Sequence, residues 1–427
     1  MAYASFTFPF KDYLRQGVSA QRAVELLEDN DAFTFPQLES GLFPAANFDN
    51  LENDETGMAD AWIRDSACIG LALLRSGRRE IAGKTAIATV RCLESISDRL
   101  QEIITSGHAP EDDTLRPPVR FTGQQSIPQY EWANAQNDAI GYGLLFIGES
   151  VREGVLKNDE SLRSLIDMLI NYLEVIAYWQ DEDSGHWEEI KKLNASSVGT
   201  VIAGLRAVRG ISGEDVKLEA LIARGDEALQ SILPFESKTP GNEREFDAAQ
   251  IFLVEPQQLL TGDQAAKIIN GAEKALLGDH GIRRYNGDSY WGPDYREHFQ
   301  LGSRAIDFSN PKNMALRDYY LNSDDEAQWT LFDPMIAVYY IHKYEISGSD
   351  DDKKQADQFI SRSLMSVVTH EKQSGEVVWR IPESFFKENG KWVPNDHLGL
   401  LWSQAYLLYG LTTYARVFGE QLIDQNS

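Results

Sequence analysis

The chain has little cysteine: Cys68 and Cys92 are the only two in 427 residues. That excludes a disulfide framework and disfavours a zinc site built on thiolates. Positive charge is also scarce, with 40 basic side chains against 66 acidic ones and a net charge of −26. So acidic a surface repels nucleic acid phosphates and anionic membrane headgroups, and it suits a small neutral ligand. No run approaches the roughly 18 consecutive apolar residues of a membrane span. The amino terminus has no basic leader before an apolar core, since Lys11 and Asp12 come early, and a cytosolic location is expected. Also missing are G-x-S-x-G, G-x-x-x-x-G-K-S/T and H-E-x-x-H. Gly141-Tyr142-Gly143 with Gly148 misses the dinucleotide spacing and sits inside a helical pattern. Asp181 to Gly185 starts like a calcium loop, but its glycine comes one position early and Lys192 stands where the closing glutamate belongs. The seven histidines show no ligand spacing. Neither metal nor cofactor is expected.

What is abundant is helical periodicity. It runs through 57–76, 80–106, 131–153, 159–180, 194–208, 214–233, 262–277, 326–347, 351–369 and 395–417. Weaker pieces near 19–28 and 247–253 bring the tally to about twelve. Asn158 and Asn194 read as helix caps, and Ser349-Asp350-Asp351-Asp352 as an acidic, solvated helix start rather than a calcium site. Asn194-Ala195-Ser196 fits a glycosylation acceptor but reads as a cap. Strand alternation is rare, with 376–380 the clearest case. Long polar and aromatic connections cover 107–130, 238–245, 278–323 and 375–394, and such loops are usually functional. The pattern predicts an all-α fold in a single domain, 1–427, of paired helices closed into a toroid with a binding face at one end.

At the loop–helix junctions a carboxylate repeatedly neighbours tryptophan. The segments are Trp62-Ile63-Arg64-Asp65, Trp132 with Gln136-Asn137-Asp138, Trp187-Glu188-Glu189, Arg283-Arg284-Tyr285, Glu326 to Trp329, and Pro382-Glu383 followed by Leu401-Trp402. Aromatic faces cover the apolar side of a pyranose, while Asp, Asn and Arg bond its hydroxyls. In this order the segments resemble glycoside hydrolase family 15, the glucoamylases and glucodextranases, whose toroid domain also occurs in the phosphorylase kinase alpha and beta subunits. The resemblance covers most of the chain and implies an (α/α)6 toroid and an inverting, exo-acting α-glucoside hydrolase. Its substrates would be short oligosaccharides such as isomaltose or maltose. It implies Glu188 as general acid and Glu383 as general base, with Glu376 and Glu388 sharing the loop of Glu383. Arg64, Asp65, Trp132, Asn137, Asp138, Trp187, Glu189, Arg284, Tyr285 and Trp329 would hold the sugar. The kinase-subunit resemblance leaves a second reading, a catalytically silent glucan-binding protein. Linkage preference and oligomeric state are not legible.

The residues suggest how two glutamates take different jobs. An aromatic setting beside Trp187 would desolvate Glu188 and favour its protonated form, and the adjacent charge of Glu189 would push the same way. Glu383 would stay ionised and activate water on the opposite sugar face. In fungal glucoamylases an aspartate often stands three residues before the acid, where this chain has Gly185.

Overall fold

The structure, a computed structural model, describes residues 6–47, 57–299, 306–321, 325–372 and 374–423. Six helices form a closed ring: Ile63–Arg75, Asn137–Arg152, Ala195–Ala207, the short Ile251–Val254, Phe332–Ser347 and Leu401–Phe418. Each packs on the next and the last packs on the first. The reason lies in their composition. From Ile63 to Leu74 and from Ala195 to Leu205 every residue is buried, so these helices have no polar face to turn to water. A second layer of amphipathic helices covers them. Ala20–Asp29 lies on Leu401–Phe418, Arg79–Ser95 on Ile63–Arg75, Asp215–Ile232 on Ala195–Ala207, and Asp350–Met365 on Phe332–Ser347. Helix Glu160–Val175 shows the pattern, burying Leu162, Leu165, Ile166, Leu169, Ile170 and Leu173 on one stripe. Each such side chain contributes about 1.5–3 kcal/mol on leaving water. The fold is the expected all-α (α/α)6 toroid.

The glycines that miss a dinucleotide motif serve packing. A Cβ on Gly141 would lie 2.7 Å from the Thr200 carbonyl carbon, and one on Gly148 2.4 Å from the Ala207 oxygen. They let helices 137–152 and 195–207 approach backbone to backbone, the closest pair in the ring.

Several boundaries differ from the periodicity. The stretch 80–106 is two helices, Arg79–Ser95 and Ser97–Ser106, broken at Ile96. The stretch 131–153 begins only at Asn137, and 326–347 only at Phe332, because Gln328–Trp329 is a strand. The 395–417 helix starts at Leu401, and 351–369 ends at Met365 before strand Val368–Glu371. The cap expected of Asn158 belongs to Asp159, whose side chain accepts from the Leu162 N–H. Asn194 holds the cap position of its helix but makes no side-chain cap bond there. Asp352 is not solvated: it is 5% exposed and pairs with Lys343 at 2.8 Å. Helix Pro311–Leu321 lies in what reads as connection, although Asn310-Pro311 is a start signal. No helix among the described residues is long and apolar enough to cross a membrane.

Strands are few and short, yet two small sheets shape one end of the ring. Ala61–Trp62, Arg120–Thr122 and Ile127–Pro128 form one. Ile282–Arg283, Gln328–Trp329, Ser384–Glu388 and Lys391–Pro394 form the other, all antiparallel. Periodicity over two to five residues is hard to see in a sequence, which is why these pieces read as loop.

Candidate active site

Most of the aromatic and carboxylate motifs lie in or ahead of the first turns of ring helices 63–75, 137–152, 195–207, 332–347 and 401–418. On the first wall, Trp62 pairs with Arg120 across the small sheet, and the chain turns at once into a helix carrying Arg64 and Asp65 in its first turn. Arg64 is 4% exposed. Its Nη1 donates to Asp138 Oδ2 at 3.0 Å and to Gln136 Oε1 at 2.9 Å, and its Nη2 donates to Glu188 Oε1 at 2.8 Å. One guanidinium therefore links the starts of two ring helices to the Glu188 loop. Burial works against its charge, but the anions of Asp138, Glu188 and Asp65 outweigh burial and hold the guanidinium above its ordinary pKa.

Glu188 sits in a tight turn in which Glu189 N–H donates to the Ser184 carbonyl at 3.2 Å. Its φ is +54°, a left-handed conformation costing a side-chain-bearing residue about 1–3 kcal/mol. Gly185 has φ +61°, and a Cβ there would meet Asn194 Nδ2 at 2.8 Å, so the position is closed to the aspartate found in fungal glucoamylases. The second Glu188 oxygen accepts from Trp132 Nε1 at 3.0 Å. The guanidinium of Arg120 lies 4.1 Å over Trp132 and 4.9 Å over Trp62, tethered by Asp60. The apolar setting expected of Glu188 is not what surrounds it, because both oxygens accept from polar donors.

Glu189 also departs from expectation. It neither lines the hollow between the two walls nor leaves a free charge beside Glu188. At 1% exposure it accepts from Arg284 and Arg317, each at 2.9 Å, and from the Tyr285 hydroxyl at 2.7 Å, with Arg244 at 3.5 Å. Burial pushes its carboxyl up, but Arg284, Arg317 and Arg244 prevail and hold it well below the usual range.

The second wall is built by sheet register. Ile282 pairs with Trp329, and Trp329 with Ser384, which brings Arg284, Trp329 and Glu383 together from distant parts of the chain. Arg284 is clamped by Asp288 at 2.6 Å and lies 4.6 Å over Tyr290 and 5.0 Å over Trp187. Glu383 is 4% exposed, and its Oε2 accepts from Asn395 Nδ2 at 2.6 Å and meets His397 Nδ1 at 2.7 Å. Glu376 is exposed and pairs with Lys372, while Glu388 pairs with Arg296.

Between the walls lies a hollow of about 160 Å³. Arg64, Asp65, Trp132, Trp187, Glu188, Arg284, Trp329 and Glu383 line it, as does Trp402 from the last motif. Glu376 and Glu388 do not. Asn137, Asp138, Glu189 and Tyr285 stand behind the lining: Asn137 donates to Asp181 at 2.9 Å, and Asp138 is fully buried against Arg64. Burial first, then the charges of Glu188 and Glu383, push Asp65 up to about 6 against the pull of Arg64. Sequence reasoning missed Arg120, His186, Tyr290 and His397 in the lining, and Arg317 behind it. His186 stacks 4.7 Å over Phe252, and burial pushes its imidazole down to about 4. None of these five lies in a repeated motif, so no local signal marked them.

The inner ring of helices and the outer layer that covers it define an (α/α)6 toroid. The glycosyl hydrolases family 15 model matches residues 30–217, so the resemblance read from the motifs stands. That segment includes Arg64, Trp132 and Glu188 and stops short of Arg284 and Glu383. A relative, the probable phosphorylase b kinase regulatory subunit alpha of Caenorhabditis elegans, is 32% identical over 272 residues, covering 54% of this chain and 21% of its own length. The chain thus spans about a fifth of that relative. Among solved structures, a wild-type glycosidase superposes with a TM-score of 0.62 at 18% identity, covering 94% of this chain and 96% of its own. The glucoamylase from Saccharomycopsis fibuligera gives 0.57 at 12% identity, over 95% and 98%. At such identities these structures show the shared fold.

Proposed function

We propose that this chain is a glycoside hydrolase, specifically an inverting, exo-acting α-glucoside glucohydrolase working as one domain on short α-gluco-oligosaccharides. The observation that carries this is that Glu188 and Glu383, from separate walls, both line one tryptophan-walled hollow. In this reading Glu188 protonates the leaving glycosidic oxygen. Glu383 takes a proton from the water attacking the opposite face, and the product is β-D-glucose. Arg64, Asp65 and Arg284 bond the hydroxyls of the terminal glucose, while Trp132, Trp187, Trp329 and Trp402 cover its apolar faces and exclude water. The hollow of about 160 Å³ is smaller than the roughly 300–1,000 Å³ of sites for drug-sized ligands, which supports a pocket for one sugar ring and therefore cleavage from the end of a chain. Proton NMR of isomaltose and maltose digests tests the proposal, with the β anomer expected first. The α anomer appearing first would refute inversion.

The similarity to a kinase regulatory subunit favours a second reading, a catalytically silent glucan-binding protein. No turnover of any α-linked glucose disaccharide, together with saturable binding of one, would select it.

A further inference from the structure

We propose that His397 and Asn395 position the base: by converging on Oε2 of Glu383 they dedicate its other oxygen, Oε1, to the attacking water. The inference rests on the reading of Glu383 as general base. Asn395 Nδ2 lies 2.6 Å and His397 Nδ1 2.7 Å from the same oxygen, and Oε1 takes no hydrogen bond among the described residues. A carboxylate only accepts, so the His397 tautomer that bonds it carries its proton on Nδ1. His397 is 3% exposed, its ring packs edge-on to Trp291 at 5.7 Å, and its Nε2 is buried with no hydrogen-bond partner among the described residues. Its one polar contact is therefore with Glu383.

The backbone makes this arrangement rigid. Glu383 N–H donates to the His397 carbonyl at 2.9 Å, Asn395 N–H to that of Ser384 at 2.9 Å, and Leu400 N–H to that of Ile381 at 3.2 Å. The 395–400 strap is laced to the 381–384 segment on both sides of the carboxylate. With Oε2 saturated, the water proton passes to Oε1 as the water oxygen bonds the anomeric carbon. The glycosidic C–O bond breaks as its oxygen takes the proton of Glu188. One carboxyl gains a proton and the other loses one, and exchange with solvent restores both.

The test is steady-state hydrolysis of α-D-glucosyl fluoride by the full chain, because fluoride leaves without an acid and isolates the base side. Glu383→Gln should lose about 10²–10⁴-fold in kcat. His397→Ala should lose about 10–100-fold in kcat with KM little moved, the cost of a misplaced base. His397→Asn puts an amide donor near the Nδ1 place and should recover part of that loss. His397→Gln puts it near the Nε2 place and should not. Asn395→Leu combined with His397→Ala should cost less than the product of the single losses, since both act on one oxygen. If Glu383→Gln keeps its activity, the base assignment fails. If Glu383 is essential while His397→Ala keeps wild-type kcat, or if the Asn and Gln variants lose equally, the positioning role fails. Should His397→Ala not fold, judged by circular dichroism, the Asn and Gln pair decides the matter.

Discussion

The two walls hold their glutamates by opposite means. Glu188 stands in a strained turn and leans on a charged partner, Arg64, and on the indole of Trp132. Glu383 stands just before an inner strand, fixed by Asn395 and His397 and by backbone bonds on either side. The first wall is organised by charge around Arg64, which ties the starts of two ring helices to the Glu188 loop. The second is organised by strand register among segments far apart in sequence. The clamp on Glu188 engages both of its oxygens, whereas the donors on Glu383 gather on one. A base must aim one oxygen at a water, and the gathering of donors on the other oxygen of Glu383 fits that part of the proposed division of labour.

The sharpest break of this symmetry is substitution of each glutamate in turn. Glu188→Gln and Glu383→Gln should each lower kcat on maltose or isomaltose by about 10²–10⁴-fold. On α-D-glucosyl fluoride only Glu188→Gln should recover, so the same kinetic assay tells acid from base. Next in size is the ionic cluster behind the first wall. Glu189→Leu removes one of the two carboxylates that Arg284 and Arg317 share, leaving Asp288, and should cost up to about 3–5 kcal/mol in urea unfolding. The pH sense follows from a carboxyl held below its ordinary range. Its contribution is present above the unfolded pKa of about 4.3 and is lost as pH falls through the lower folded value, so Glu189→Gln should flatten the acid limb.

Asp65 has the opposite sign. Its folded value of about 6 lies above the unfolded value near 3.9. Its contribution is therefore fully present below pH about 4 and lost as pH rises through about 6, up to about 3 kcal/mol in all. Asp65→Asn should remove that slope between pH 4 and 6 from the unfolding midpoint, and an unchanged slope would place the titration elsewhere. The smallest effect is that of Trp132→Phe, which keeps the aromatic wall and deletes one N–H to Glu188. It should raise the barrier by about 1.5–3 kcal/mol, read as the fall in kcat/KM.

The legibility of the site divides along the same line. Arg64, Asp65, Trp132 and Glu188 all sit in short motifs, and the side chains that Arg64 bonds belong to the two motifs that follow it. The lining role of His397 and the buried position of Arg317 follow from pairings between segments that no local pattern connects. Glu189 and Tyr285 were legible as members of motifs, but their side chains turn away from the hollow because three arginines draw the Glu189 carboxylate into the wall.

The sequence alone determined the toroid, because helices apolar on every side can only form an inner ring, and amphipathic ones can only cover it. It also showed which motifs belong to the site, since a carboxylate or arginine neighbours an aromatic residue in each of them. Only the tertiary structure decided which carboxylates open to the hollow and which are spent on arginine. That choice depends on the register of short strands and the turn at Gly185, where distances of a few ångströms set whether a charge meets solvent or a buried cation.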